Sequence, residues 1–271
     1  MLTVAGSDSG GGAGIQADLR TFNAFGVYGC SVITAVTAQN PGEVRRVDVL
    51  PVESVVKQFE SVLDAIPVRF VKTGMLANGR IIEAAAELAA HYGVNLIVDP
   101  VMVSTSGTVL LEESAIGAMQ SRLFPLARWI TPNIPEAELI CRRQLKNPGD
   151  LADAALCFYE QFGCNCLLKS GHAIESDLVT DIVCYKGEIF TLSSPVVKLR
   201  GNTAHGTGCT LSAAMAANFA LNKNWQDTLI AAKAFVYSSL YESIALSDTL
   251  MQMYPPGENR LNQIQLNRGM S

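Results

Sequence analysis

The chain has 271 residues, and 49% of them are hydrophobic, which is enough apolar material for one large α/β domain or two small ones. Acidic residues outnumber basic ones by 25 to 20, for a formal charge of −5, and the sequence contains no block of Lys and Arg. This balance argues against a nucleic-acid partner, because an extended polyphosphate backbone attracts clustered basic residues. The expected partner is a small molecule.

Seven cysteines are scattered along the chain, without the pattern of a disulfide framework. They indicate a reducing compartment, so we expect a cytoplasmic protein. The first residues lack a basic segment followed by an apolar one, and no apolar run is long enough to span a bilayer. We therefore expect no membrane partner.

Apolar runs and helical patterns alternate along the chain. Residues 2–5 read as a strand, residues 6–14 as a glycine loop and residues 15–22 as a helix. Such alternation predicts a three-layer α/β/α fold with a mostly parallel central sheet. Strands are further predicted at 30–36, 70–73, 95–98, up to residue 130 and at 164–168, helices at 54–65, 79–92, 135–143, 150–162, 210–221 and 226–245, and an antiparallel hairpin at 178–192.

No internal repeat or linker divides the sequence. Residues 1–247 are therefore predicted to form a single domain, and residues 248–271 a polar C-terminal tail.

The segment Gly206-Thr207-Gly208-Cys209 opens onto a run of small residues. A glycine turn that starts a helix leaves backbone N–H groups unpaired at the positive end of the helix dipole, which favours an anion site. The same position is expected to lower the pKa of the Cys209 thiol. The alternative is a glycine turn before a helix that buries a cysteine.

The first glycine loop does not match known nucleotide-binding loops. Counting from Gly10, the final glycine of a G-x-G-x-x-G motif would fall on Ile15, and no G-x-x-x-x-G-K-[ST] motif occurs. The glycines nevertheless allow a ligand to approach the backbone closely. Asp18, on the following helix, reads as a solvated position, or as a carboxylate that faces a heterocycle.

Asn133 and Glu136 follow a predicted strand with the spacing of a helix capping box. The same two side chains could instead orient water around Mg²⁺, an ion that retains several of its waters in proteins. Asp99 ends another strand, and ligands of open parallel sheets lie beyond the carboxyl ends of the strands. Together with the anion turn, these residues suggest phosphoryl transfer.

Six ordered motifs between residue 2 and about residue 245 resemble the bacterial hydroxymethylpyrimidine/phosphomethylpyrimidine kinases of thiamin biosynthesis, which belong to the ribokinase-like kinases. The motifs are AGSDSGGGAGIQAD (5–18), VITAVTAQN (32–40), KTGML (72–76), DPVMV (99–103), TPNIPEA (131–137) and HGTGCTLSAA (205–214).

The resemblance implies a ribokinase-like fold with a mostly parallel sheet, and it assigns a role to each motif. The backbone of Gly206, Thr207 and Gly208 would form an anion hole for the γ-phosphoryl group of ATP, and Cys209 would act as general base or position the acceptor hydroxyl. The remaining implied roles are pyrimidine binding by Asp18 and Gln39 in a pocket lined by Gly6, Met75 and Val101, ATP binding by Asn133, Lys169, Thr207 and Gly208, and Mg²⁺ binding by Asp99, Asn133 and Glu136 through water.

The resemblance also implies a homodimer. The sequence departs from the family's pattern in two places. Residues 104–107 read Ser-Thr-Ser-Gly where the family often has a lysine, and a C-terminal Gly-His-Gly-Pro-like stretch is missing. Two other functions stay open: a pyridoxine or pyridoxal kinase, and a non-catalytic pyrimidine-binding module.

Overall fold

A computed structural model describes residues 1–40, 42–102, 113–171, 177–198, 205–247 and 250–269 of the chain. Its strands are β1 (Leu2–Asp8), β2 (Cys30–Asn40), β3 (Glu43–Val49), β4 (Phe70–Thr73), β5 (Asn95–Val98), β6 (Ala127–Ile130), β7 (Asn165–Leu168), β8 (Leu178–Tyr185), β9 (Glu188–Pro195), β10 (Ile244–Ala245), β11 (Met251–Gln252) and β12 (Gln265–Arg268). Its α-helices are α1 (Gly14–Ala24), α2 (Val52–Leu63), α3 (Gly79–Tyr92), α4 (Glu113–Ala118), α5 (Ile134–Cys141), α6 (Pro148–Phe162), α7 (Thr207–Ala220) and α8 (Trp225–Tyr241).

Ten of the described strands form one sheet, in the order β12-β9-β8-β7-β6-β5-β4-β1-β2-β3. The six strands from β7 to β2 run parallel to one another, and the strands at both edges are antiparallel. After β1 the chain moves to β2 and β3 on one side and then returns to β4 on the other. In an open sheet the crevice at such a reversal of strand order is where ligands bind.

Helices cover both faces of the sheet, and each face has its own apolar core. Helices α1, α7 and α8 pack together on one face, over a core that includes Phe22, Trp129 and Phe235. Helices α2, α3, α5 and α6 lie on the other face, over a core that includes Phe59 and Phe158. The structure therefore confirms the predicted α/β/α arrangement and the mostly parallel sheet.

Several elements differ from the sequence prediction. Strand β2 continues past residue 36 to Asn40, through an irregularity at Ala38, and pairs with the unpredicted strand β3. All seven residues of β3 are exposed, so no buried side gives it the alternation that marks a strand. Helix α7 begins at Thr207, three residues earlier than predicted.

The predicted polar tail, residues 248–271, contains two strands where the structure describes it. Strand β11 pairs with β10, and β12 pairs with β9 at the edge of the central sheet.

In the described ranges, no helix has the length and apolar character needed to cross a membrane. All seven cysteines are free thiols.

Candidate active site

Two cavities open at the carboxyl edge of the sheet. The first, which we call the switch-point cavity, lies where the strand order reverses, beyond Gly6 of β1 and Met75 after β4. The second, the hairpin cavity, lies between the β8–β9 hairpin and α8, and is walled by Val179 and Tyr237 among others. Gly208 and Lys169 line both cavities. Two molecules bound side by side would therefore meet at the start of α7.

The start of α7 is shaped by Gly206. This residue is the N-cap and has a φ of 83°, and its carbonyl accepts the first helical bond from Thr210. A Cβ atom on Gly206 would overlap the carbonyl oxygen of Gly12 in the first glycine loop. Only glycine permits both the positive φ and this approach. The first turn of α7, which includes Thr207 and Gly208, is where the predicted anion site would lie.

Lys169 adds a positive charge at the same place. Its ammonium group lies 2.9 Å from Asp99 Oδ1, and a Cβ on Gly208 would lie 3.1 Å from Lys169 Nζ. The lysine follows β7, and its backbone N–H bonds to the carbonyl of Pro132. The cation and the positive end of the α7 dipole thus converge, which strengthens the attraction for an anion.

The predicted capping box is present. The side chain of Asn133 accepts a hydrogen bond from the N–H of Glu136, and the Glu136 carboxylate accepts one from the N–H of Asn133, each at 2.8 Å. Glu136 is buried, and burial raises its pKa to about 7, with Lys169 opposing and Asp99 adding to the rise. Asn133, Glu136, Asp99 and Lys169 all line the switch-point cavity.

Cys209 does not have the acidic thiol that its helix position predicts. It is in the first turn of α7 and lines the switch-point cavity, next to Gly208. Burial raises the pKa of Cys209 to about 11, although Lys72 lowers it. The expectation of a lowered pKa is therefore wrong for the ligand-free protein, because loss of solvation outweighs the lowering by Lys72 and by the backbone hydrogen bond with Gly14. The thiol is protonated at neutral pH.

Asp18 occupies a different place from the one expected. Its side chain is fully buried, outside the lining of the switch-point cavity, and both of its oxygens bind Lys72 Nζ, at 2.9 and 3.0 Å. Thr3 also donates to it. The geometry thus contradicts a direct bond from Asp18 to a pyrimidine. The carboxylate instead compensates the charge of Lys72.

Lys72 is a site residue that the sequence analysis missed. It is fully buried on β4 yet lines the switch-point cavity. Burial opposes its charge, but Asp18, Cys209 and Asp99 together outweigh this effect and raise the pKa of Lys72 above its usual value. A lysine in a predicted buried strand was the signal that could have revealed it, since such a charge needs a buried partner.

The other predicted pocket residues do come together. Gly6, Gln39, Met75 and Val101 line the switch-point cavity, with Met75 packed against Gly6. Gln39 lies on the unpredicted extension of β2 and contacts His205, which sequence analysis did not assign a role.

Two further points concern the position where the family often has a lysine and the predicted Mg²⁺ site. Residues 104–107, where the family often has a lysine, lie outside the described residues. Within the described ranges, no group of three or more His, Cys, Asp and Glu side chains is arranged to hold a metal ion directly.

Comparisons with known proteins show which family the chain resembles. Residues 8–253 match the family model described as phosphomethylpyrimidine kinase. A hydroxymethylpyrimidine/phosphomethylpyrimidine kinase of Haemophilus influenzae is 42% identical over 247 residues, which cover 89% of this chain and 90% of the relative.

Solved structures of kinases share the fold. The pyridoxal kinase of Staphylococcus aureus in complex with AMP-PCP and pyridoxal has a TM-score of 0.86 and 31% identity, and the match covers 99% of this chain and 97% of that one. The phosphomethylpyrimidine kinase of Clostridium difficile has a TM-score of 0.76 and 39% identity, over 87% and 96% of the two chains. The ribokinase-like fold that the resemblance implied is confirmed.

Replacing Gly206 with alanine should destabilise the protein more than the same change at Gly163. Both glycines have a positive φ, but nothing lies within 4 Å of a Cβ at Gly163. Gly163→Ala should cost about 1–2 kcal/mol from backbone strain alone. Gly206→Ala must also displace Gly12, so its loss of unfolding free energy in urea should be clearly larger. Equal losses would contradict the tight packing of the two loops.

Lys72→Met should lower the unfolding free energy by about 3–5 kcal/mol, because it leaves the buried Asp18 carboxylate without its cation. Adding Asp18→Leu in the same chain should restore much of that loss, since the buried charge is then gone. Lys57→Met, at an exposed lysine paired with Glu60, is the matched control and should produce no measurable change. An Lys72→Met variant as stable as wild type would disprove the paired-charge interpretation.

Alkylation of Cys209 by iodoacetamide should be slow at pH 7 and should accelerate about tenfold for each pH unit up to pH 10. The thiolate is the reactive form, and a pKa of about 11 keeps its population small at neutral pH. Peptide mapping by mass spectrometry separates Cys209 from the other six cysteines. A rate that levels off below pH 8 would mean that the helix dipole prevails after all.

Proposed function

The chain belongs to the phosphomethylpyrimidine kinase family, and from this premise we propose that it transfers the γ-phosphoryl group of ATP to 4-amino-5-hydroxymethyl-2-methylpyrimidine and to its monophosphate. As a member of this family it is a phosphotransferase. The product of the second transfer is the pyrimidine pyrophosphate used in thiamin synthesis.

The meeting of the two cavities at the start of α7 is the observation that carries this proposal. Phosphoryl transfer has a loose transition state, in which negative charge spreads over the oxygens of the migrating group. Gly208 and Lys169 belong to the walls of both cavities, so a group passing from one to the other lies against them. Backbone N–H groups aimed at developing charge are worth roughly 10²–10³ in rate per donor in other enzymes.

We assign the hairpin cavity to ATP. Its walls are largely apolar, which suits a flat base, and they include Val179, Leu211 and Tyr237. Thr207 and Lys169 stand at the inner end, where the phosphates of the nucleotide would face α7. The AMP-PCP complex of the S. aureus pyridoxal kinase supports ATP as the donor. Asn133, across from Lys169 in an isolated strand bridge, would contribute to phosphate binding.

The switch-point cavity receives the acceptor. Gly6, Met75 and Val101 provide apolar contacts for a small ring, and Gln39 provides a hydrogen-bonding side chain at its edge. Cys209 lies on the same wall as Gly208, which places the thiol beside the transfer point.

We propose that Cys209 positions the acceptor hydroxyl and, once its own proton has passed to solvent, takes up the hydroxyl proton as a thiolate while the acceptor oxygen bonds to phosphorus and ADP leaves. A thiol that is protonated in the empty site hydrogen-bonds the hydroxyl in the ground state. Its high pKa makes the thiolate a strong base, and Lys72 is the buried cation that stabilises that thiolate most. In the second transfer the acceptor is the phosphate group of the monophosphate, which is already ionised at neutral pH. That step needs no base, so Cys209 matters less for it.

Mg²⁺ fits the carboxylate-rich side of the same region. Burial leaves Glu136 with a pKa of about 7, and Asp99 contributes to that rise, so a dication nearby would relieve the repulsion between the two carboxylates. Asp99, Asn133 and Glu136 would hold the ion through its water ligands. When bound, Mg²⁺ neutralises charge on the phosphates of ATP.

We also propose that the protein is a cytoplasmic homodimer. Seven free thiols support a reducing compartment, and the family resemblance supports the dimer. Light scattering coupled to size-exclusion chromatography measures the mass directly.

A pyridoxal kinase is the second candidate. The S. aureus pyridoxal kinase superposes over 99% of this chain, which favours pyridoxal as an alternative acceptor. The sequence relatives point to the pyrimidine, because the H. influenzae enzyme shares 42% identity.

An ADP-release assay with the free pyrimidine alcohol, its monophosphate and pyridoxal should rank the pyrimidines first. Analysis of the products formed from the free alcohol tells whether one or both transfers occur. No turnover with either pyrimidine would refute the proposed function, and pyridoxal turnover alone would establish the second candidate.

Cys209→Ala should lower kcat for the free alcohol by about 10²–10⁴, with little change in KM for ATP, because the thiol lies in the acceptor cavity. The monophosphate reaction should lose less. Cys157→Ala, at a half-buried cysteine outside both cavities, is the matched control and should keep wild-type kcat. Near-wild-type turnover of Cys209→Ala on the alcohol would refute the role of the thiol.

A further inference from the structure

Three side chains from distant segments meet at the rim of the switch-point cavity. Asp8 ends β1, Gln39 lies near the end of β2, and His205 immediately precedes the glycine that caps α7. His205 Nε2 lies 3.2 Å from Asp8 Oδ2 and 3.1 Å from the amide nitrogen of Gln39. Only 16% of the His205 side chain and 4% of the Asp8 side chain are exposed.

The surroundings of Asp8 determine where the proton lies. Burial alone would raise the pKa of Asp8, but hydrogen bonds from His205 and from the N–H groups of Gly10 and Ala13 outweigh it and lower the pKa. The carboxylate is therefore ionised at neutral pH and can only accept hydrogen bonds. The atom that faces it, His205 Nε2, must carry a proton.

A protonated Nε2 constrains Gln39 in turn. The amide nitrogen of Gln39 cannot accept a hydrogen bond, so two donors would face each other across 3.1 Å. The oxygen and nitrogen of a side-chain amide are told apart by their hydrogen bonds rather than by shape, and turning the amide over resolves the conflict.

The turned amide satisfies every group around it. Gln39 Oε1 and Asp8 Oδ2 then share the Nε2 proton of His205 in a three-centre bond, which suits the two distances of just over 3 Å. The amide nitrogen takes the place 3.4 Å from Thr37 Oγ1. The hydroxyl of Thr37 already donates to the carbonyl of Ser7, so it is able to accept. The second N–H of Gln39 is left for the cavity.

We propose that His205, held by Asp8, is a positioning residue that fixes the amide of Gln39 with its NH₂ group toward the acceptor. Gln39 then donates to a lone pair on the acceptor ring, so the enzyme selects a ring nitrogen at that point and disfavours C–H or N–H. This inference rests on the proposed function and adds the selection rule for its acceptor.

The selection rule is testable with two aminopyridine analogues of the free pyrimidine alcohol, each with C–H in place of one ring nitrogen. Wild-type enzyme should lose about tenfold in kcat/KM on at least one of them, the magnitude of one lost hydrogen bond. In His205→Leu, the kcat/KM for the parent alcohol should exceed the kcat/KM for that analogue by no more than about threefold, because Gln39 is no longer held. His205→Gln, which can donate from a similar position, should restore the wild-type ratio.

A double variant separates positioning from a general structural effect. If His205 acts through Gln39, the ratio in His205→Leu/Gln39→Met should equal that in Gln39→Met alone. His91→Leu makes the same change at an exposed histidine of α3 and should leave the ratio as in wild type.

The outcomes distinguish this inference from the proposed function. If His205→Leu lowers kcat/KM equally on parent and analogue, or if wild type tolerates both analogues fully, the positioning role is overturned while the pyrimidine kinase activity stands. If wild type turns over neither pyrimidine, the proposed function fails first. Should His205→Leu be too unstable to assay, Asp8→Asn, which removes the charge that holds His205, must reduce the same ratio, and an unchanged ratio overturns the inference.

Discussion

The site depends on one contact of backbone against backbone, between the carbonyl of Gly12 and the α-carbon of Gly206. These glycines are 194 positions apart in the sequence, and the contact seats the start of α7 directly against the loop that follows β1. Any side chain at Gly206 would separate the two segments. Because both cavities are lined by the first turn of α7, this separation would move that turn relative to both cavities.

Buried charges are balanced in pairs around that turn. Lys72 is paired with Asp18, and Lys169 is paired with Asp99. Each lysine thus has a carboxylate partner before any ligand arrives, which lowers the cost of keeping ammonium groups out of water. Both oxygens of the Asp18 carboxylate accept hydrogen bonds from the ammonium group of Lys72. Both charge pairs are thus already formed in the ligand-free protein.

Much of the fold was predictable from the sequence because the patterns that encode it are local. The glycine loop between β1 and α1, and the Asn133–Glu136 capping box, are each specified by residues a few positions apart. Strand β3 could not be predicted in the same way, since its exposed residues leave no periodic burial to detect. Gln39 and Lys169, which the family resemblance assigned to the site, both line the switch-point cavity, and their roles stay predictions.

The two mistaken expectations share a physical cause. The behaviour of Asp18 depends on Lys72, which lies far away in sequence and reaches it only in the folded sheet. The pKa of Cys209 depends on how much water the fold removes from the thiol, and a sequence motif reports the helix end but not the burial. His205 was overlooked for the same reason, since its partners come from two other strands. Electrostatics in a folded site is a property of distant segments brought together.

The protonated state of Cys209 affects how easily the protein is oxidised. Peroxides and other oxidants attack thiolates, and the first product, a sulfenic acid, leads on to irreversibly oxidised forms. A solvated thiol at a helix end would be exposed to that chemistry whenever the site stood empty. Burial instead keeps the sulfur protonated, and therefore inert, until an acceptor is bound. The same burial that raises the pKa of the thiol thus also protects it from oxidative damage.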